Sequence, residues 1–106
     1  MRDDQIPDAE LSPWHPITEP VLLKHLGKLA EEVNELGAIV ARIIIQGVDE
    51  CNPDTGELNR HALESEMADV LANCQLVGEH LGLNIDRVTE RAKKKLAKLQ
   101  AWHRMA

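Results

Sequence analysis

The sequence predicts an all-α protein, on three observations. Apolar residues recur at alternating steps of three and four in three separate stretches, which is the period of one helix face. Aromatic residues make up only 2% of the 106 residues, so a core would consist of Leu, Ile, Val, Ala and Met, a composition that suits helix packing better than a sheet. Glycine and asparagine separate the stretches and supply helix ends. The length suits one domain.

The first segment is too rich in proline for a helix. Four proline residues make it extended or turning: Pro7, Pro13, Pro16 and Pro20. We therefore assign residues 1–19 to an N-terminal extended arm and residues 20–106 to the helical domain. Thr18 is the predicted N-cap of the first helix, with Pro20 in its first turn.

The first helix is predicted from about Pro20 to Gln46 and ends at Gly47. Its apolar stripe consists of Leu22, Leu26, Leu29, Val33, Leu36, Val40 and Ile43. The segment 37–45 is apolar on nearly every side, and such a helix must be covered on every side. Two other helices of the same chain hardly suffice, so we expect an oligomer.

The second helix follows a polar connector. Residues 47–59 contain strong turn signals and predict a surface loop. Asn59 is the predicted N-cap of a helix over about 60–81, closed by Gly82. The apolar stripe of this helix consists of Leu63, Met67, Val70, Cys74, Val77 and Leu81.

A third, basic helix is predicted over about 86–102, with Asn84 or Asp86 as its cap. Residues 1–86 carry 5 Lys and Arg against 17 Asp and Glu, whereas residues 87–106 carry 7 against one Glu. The acidic body argues against a stable nucleic acid partner. The basic helix either holds a small polyanion or complements its own dipole in water.

The chain is predicted to be cytoplasmic and free of membrane contact. No run approaches the ~18–20 apolar residues of a membrane span. The acidic start does not have the character of a signal peptide.

Two pairs of acidic residues flank the stripes at matching angles. Glu32 lies roughly 60° and Glu35 about 120° from the centre of the first stripe. Glu66 and Asp69 repeat this geometry on the second helix, and Asn73 lies one turn further. A carboxylate beside a core is costly to desolvate unless it is paired or binds a cation. Oxygen ligands of this kind suit Mg²⁺ or Mn²⁺; the alternative interpretation is a solvated acidic rim.

These residues also resemble a known family. The run EEVNE at 31–35, followed by EMADVLAN at 66–73, resembles the EExxE…ExxD signature of MazG-like, all-α nucleoside triphosphate pyrophosphohydrolases. The resemblance extends from about Leu22 to Trp102. It implies a helical hairpin plus a C-terminal helix that assembles into dimers or tetramers with four-helix-bundle cores. It also implies a nucleoside triphosphate as substrate, cleaved between the α and β phosphates to the monophosphate and pyrophosphate.

The resemblance further implies roles for individual residues. The expected Mg²⁺ ligands, with Mn²⁺ as a substitute, are Glu32, Glu35, Glu66 and Asp69. Glu35 is also expected to position or deprotonate the attacking water, and Glu31 to orient it from the outer shell.

Three further residues are expected to contact the substrate. Asn73 is placed to contact the sugar or base, and Lys94 is our choice among three consecutive lysines for a phosphate contact. Trp14 is a candidate to stack on the base, although such a residue also commonly clamps an arm onto the body of a protein.

Several alternatives remain at this point. The nearest enzymatic ones are relatives specific for dUTP or dCTP and phosphoribosyl-ATP pyrophosphohydrolase. A different class of function is a catalytically silent helical module for oligomerisation or regulation.

Overall fold

Three α-helices make up the part of the chain that the computed structural model describes, residues 13–105: α1 (Pro20–Gln46), α2 (Asn59–Leu81) and α3 (Ile85–Met105). Within these residues the only β pairing is an isolated antiparallel bridge between Cys51 and Leu58. The all-α prediction is thus confirmed. Of the predicted arm, residues 13–19 have no regular secondary structure, and residues 1–12 lie outside the described part.

Helices α1 and α2 form an antiparallel hairpin whose contact faces differ from the predicted stripes. On α1 the more buried positions are Glu32, Leu36, Ile39 and Ile43, while Val33 and Val40 remain 49% and 42% exposed. The contact face is therefore rotated towards the acidic edge of the stripe. A single neighbouring helix covers only part of a broad apolar face, and here it covers the edge that carries Glu32.

The contact face of α2 includes polar side chains. Its buried and half-buried positions step by three and four along the helix: Asn59, Leu63, Glu66, Val70, Asn73 and Val77. Glu66 therefore faces α1 instead of lying beside the seam. The hairpin thus brings one carboxylate from each helix into its interface.

The observed start of α1 corrects one predicted cap. The N-cap is Glu19, not Thr18, because the helix begins at Pro20. The Glu19 carboxylate accepts hydrogen bonds from the backbone N–H groups of Val21 (3.0 Å) and Leu22 (2.6 Å). These bonds hold the pKa of Glu19 below its ordinary value.

The observed start of α2 corrects a second predicted cap. Leu58 occupies the N-cap position without a capping side chain, and the helix begins at Asn59. Asn59 is fully buried, and its Nδ2 donates to Oε1 of Gln46 (3.1 Å) and to the carbonyl of Gly47 (3.0 Å). The prediction that Asn59 caps α2 is wrong, because its side chain instead fastens the start of α2 to the end of α1.

The ends of α1 and α2 and the start of α3 agree with the predictions made from the sequence. Gly47 and Gly82 close α1 and α2 with positive φ values of 101° and 62°. Asn84 Oδ1 accepts from the backbone N–H of Arg87 (3.0 Å) and caps α3.

Helix α3 projects from the hairpin. None of its described residues is buried, and Leu96 and Trp102 are 56% and 71% exposed. The first turn of α3 packs closely against α2, because Ile85 contacts Gly78. A Cβ added to this glycine would lie 2.9 Å from Cδ1 of Ile85. Among the described helices, none combines the length and the apolar character needed to cross a membrane.

Candidate metal centre

Three carboxylates converge in the interface of the hairpin. Glu32 and Glu35 come from consecutive turns of α1, and Glu66 faces them from α2. One carboxylate oxygen from each lies within 4.8 Å of the other two. Glu32 and Glu35 lie on one side of α1 because they are three residues apart. The rotated contact face of α1 then turns this side towards Glu66.

Burial leaves two oxygens of the trio without a partner. The Glu32 side chain is only 7% exposed, and its Oε1 lies 3.1 Å from Nζ of Lys28. Glu32 Oε2 and Glu66 Oε2 are buried and accept no hydrogen bond among the described residues. Buried carboxylate oxygens are costly without a partner. A cation coordinated by them would remove that cost, so these residues fit a metal ion.

The electrostatics of the trio favour the same conclusion. Burial, followed by the charges of Glu35 and Glu32, raises the pKa of Glu66. The charge of Glu32, followed by desolvation, raises the pKa of Glu35. The three groups therefore repel one another when ionised. An all-oxygen donor set with excess negative charge suits a hard divalent cation.

We expect Glu66→Gln to stabilise the metal-free protein in a pH-dependent way. The folded-state pKa of Glu66 lies above its ordinary value of 4.5, so its ionisation costs stability. That cost is absent below pH 4.5, develops as the pH rises through the folded-state pKa, and is complete above it. In EDTA, the Tm of the variant should exceed that of the wild type by a margin that grows from pH 4.5 to 7.5.

The matched control is Glu64→Gln, an exposed carboxylate on the same helix. The difference in Tm between this variant and the wild type should not grow from pH 4.5 to 7.5. A difference in Tm that stays constant across the pH range would contradict repulsion within the trio.

The structure does not bring the fourth expected ligand, Asp69, into the trio. Asp69 is exposed one turn beyond Glu66, and its charge contributes to the raised pKa of Glu66. Asn73 is half-buried, and its Nδ2 donates to the backbone carbonyl of Asp69 (2.8 Å).

The other expected site residues are dispersed. Glu31 is exposed, with Oε1 3.6 Å from Nζ of Lys28. Trp14 is 93% exposed. Lys94 lies on α3 beside a separate cavity of about 210 Å³, whose described lining residues are all cationic: Arg91, Lys94, Lys95 and Lys98. The chain itself does not bring this basic cluster to the trio.

A cavity of about 240 Å³ adjoins the trio. It is lined by Glu35, Ala38, Ile39, Arg42, Glu57, Ala62 and Glu66. Sequence reasoning missed Arg42 and Glu57. A signal for Arg42 existed, because it follows Glu35 by two helical turns and so shares its side of α1. Glu57 lies in the connector, where helical spacing gives no indication of position.

The fold and the site define an all-α protein with a carboxylate centre between the two helices of a hairpin. The family model of the MazG nucleotide pyrophosphohydrolase domain matches residues 22–102, and the chain belongs to this family. The resemblance seen in the sequence is thereby confirmed. No curated protein and no solved structure shows a significant match.

Proposed function

We propose that the protein hydrolyses nucleoside triphosphates, ribo- or deoxyribo-, at the α–β phosphate bond, with Mg²⁺ as its cofactor and Mn²⁺ as a substitute. The observation that carries the proposal is the trio with its two unpartnered buried oxygens, Glu32 Oε2 and Glu66 Oε2, in a chain of this family. A negatively charged triphosphate approaches clustered carboxylates only when a cation neutralises them.

In this proposal Glu32, Glu35 and Glu66 hold the cation, and Asp69 is a fourth ligand from the adjacent turn of α2. When bound, the cation would neutralise phosphate charge and make a water more acidic. Glu35 orients the attacking water and accepts its proton as a general base. The water oxygen bonds to phosphorus as the α–β bridging bond breaks, which yields the monophosphate and pyrophosphate without a covalent enzyme intermediate.

Four further residues have roles in the same proposal. Glu31 orients the water from outside the ligand set, and Asn73 contacts the sugar or base. Lys94 supplies charge to a phosphate; since it lies away from the trio of its own chain, we assign this contact to a second copy in a homodimer or homotetramer. Trp14 stacks on the base. A cytoplasmic location, where nucleotide pools are found, belongs to the same proposal.

The test is pyrophosphate release by the wild-type protein from a panel of nucleoside and deoxynucleoside triphosphates, including dUTP, dCTP and phosphoribosyl-ATP. We expect turnover with Mg²⁺ or Mn²⁺ and none with EDTA. Preference for one of the named substrates would identify the specialised relative. Absence of turnover across the panel, together with absence of Mg²⁺ binding by calorimetry, would contradict the proposal and favour a silent helical module.

A further inference from the structure

In the described part of the chain, Arg42 is the one cation that lines the cavity beside the trio. It is half-buried and stands in the otherwise apolar segment 37–45 of α1. Among residues 13–105 it makes no ion pair and no side-chain hydrogen bond, although Glu35 and Glu66 line the same cavity. A half-buried guanidinium loses part of its hydration, and an anionic partner would compensate for that loss.

Arg42 lies C-terminal to Glu35 on α1, and both residues line the cavity. Seven residues separate them, a rise of about 10 Å along the helix. Helical side chains lean towards the N-terminus, so the Arg42 side chain leans back towards the carboxylates. Arg42 forms no ion pair with these carboxylates, so the cavity between them can hold an anion.

The charges of the cavity restrict which anion fits. Of the described lining residues, Glu35, Glu66 and Glu57 carry negative charge and Arg42 carries positive charge, so that part of the lining is negative overall. A simple anion would be repelled by the three carboxylates. A polyphosphate differs, because one part of it associates with a cation at the trio while another part reaches the guanidinium.

We infer that Arg42 binds a phosphate group of the triphosphate in the cavity beside the trio. This inference rests on the proposed function and adds a phosphate contact supplied by the same chain as the trio. The guanidinium offers a planar fork of donors that matches two phosphate oxygens, a pairing that a lysine ammonium does not reproduce.

The experiment compares wild type, Arg42→Gln and Arg42→Lys for binding of inorganic tripolyphosphate in the presence of Mg²⁺, by calorimetry. Charged hydrogen bonds of this kind are worth ~1.5–3 kcal/mol, so we expect Arg42→Gln to weaken binding by roughly 10- to 150-fold. Arg42→Lys should recover part of that loss. Arg87→Gln is the matched control, since Arg87 is exposed at the start of α3 and lines neither cavity; it should bind like wild type.

A second measurement separates phosphate binding from a structural role. Without polyphosphate, Arg42→Gln should bind Mn²⁺ as tightly as wild type or more tightly, because a positive charge near the trio has been removed. If Arg42 only balanced the carboxylates, its loss would lower Tm and leave tripolyphosphate affinity unchanged, which would overturn the inference.

Failure of this inference is distinguishable from failure of the proposed function. If the wild type releases pyrophosphate from a nucleotide and Arg42→Gln keeps its tripolyphosphate affinity and KM, only the role of Arg42 is wrong. Lack of tripolyphosphate binding by the wild type would also overturn that role. The proposed function itself is decided separately, by wild-type pyrophosphate release.

Discussion

Replacing Glu32 with Gln should abolish metal-dependent pyrophosphate release, lowering kcat/KM by about 10³-fold or more. Glu32 is the most buried member of the trio, and its Oε2 has no other partner among the described residues. An amide keeps the size of the side chain but removes the charge and replaces one coordinating oxygen with a nitrogen donor. A hard cation binds such a site poorly.

The experiment measures turnover and Mn²⁺ affinity of the same samples, with Glu64→Gln as control. Glu64→Gln removes one carboxylate from an exposed position of α2 and should keep both activity and affinity. Circular dichroism and Tm establish that the Glu32 variant is folded. A folded variant with wild-type turnover would exclude Glu32 from the metal centre.

The helices and the position of two carboxylates of the trio on one side of α1 were predictable because both depend on local spacing. Glu32 and Glu35 are three residues apart, and that spacing fixes their angular relation wherever α1 packs. Which edge of the stripe meets α2 depends on the partner helix. For that reason the sequence predicted Val33 and Val40 at the seam, whereas the structure places Ile39 there and buries Glu32.

Features that depend on contacts between distant segments were not predictable. Asn59 is a favourable cap by composition, but its side chain bonds to Gln46 and Gly47 across the connector. Helical spacing indicates that Arg42 shares one side of α1 with Glu35, but the cavity that it shares with Glu66 depends on how α2 packs against α1. The expected role of Lys94 came from the family resemblance, and the direction in which α3 projects from the hairpin has no signal in the local sequence.

The hairpin leaves several large apolar side chains exposed. Val33, Val40 and Ile44 follow at steps of seven and four on one side of α1 and are 49%, 42% and 79% exposed. On α2, Leu71 is 69% exposed. Contiguous apolar patches of this kind are typical of interfaces between subunits. They support the expectation, made from residues 37–45, that copies of the chain associate.

Ile44→Glu should therefore convert an oligomer to a species near the chain mass of 11.8 kDa, as measured by sedimentation velocity or light scattering. A carboxylate at the centre of an apolar interface would lose its hydration without a partner, and this cost opposes association. If Lys94 of a second copy contacts the substrate, turnover should fall together with the mass. Met105→Glu, at an 84% exposed position near the end of α3, is the control and should leave the mass unchanged. A wild type that sediments as a monomer at all concentrations tested would contradict the assembly, and with it the assignment of Lys94 to a neighbouring subunit.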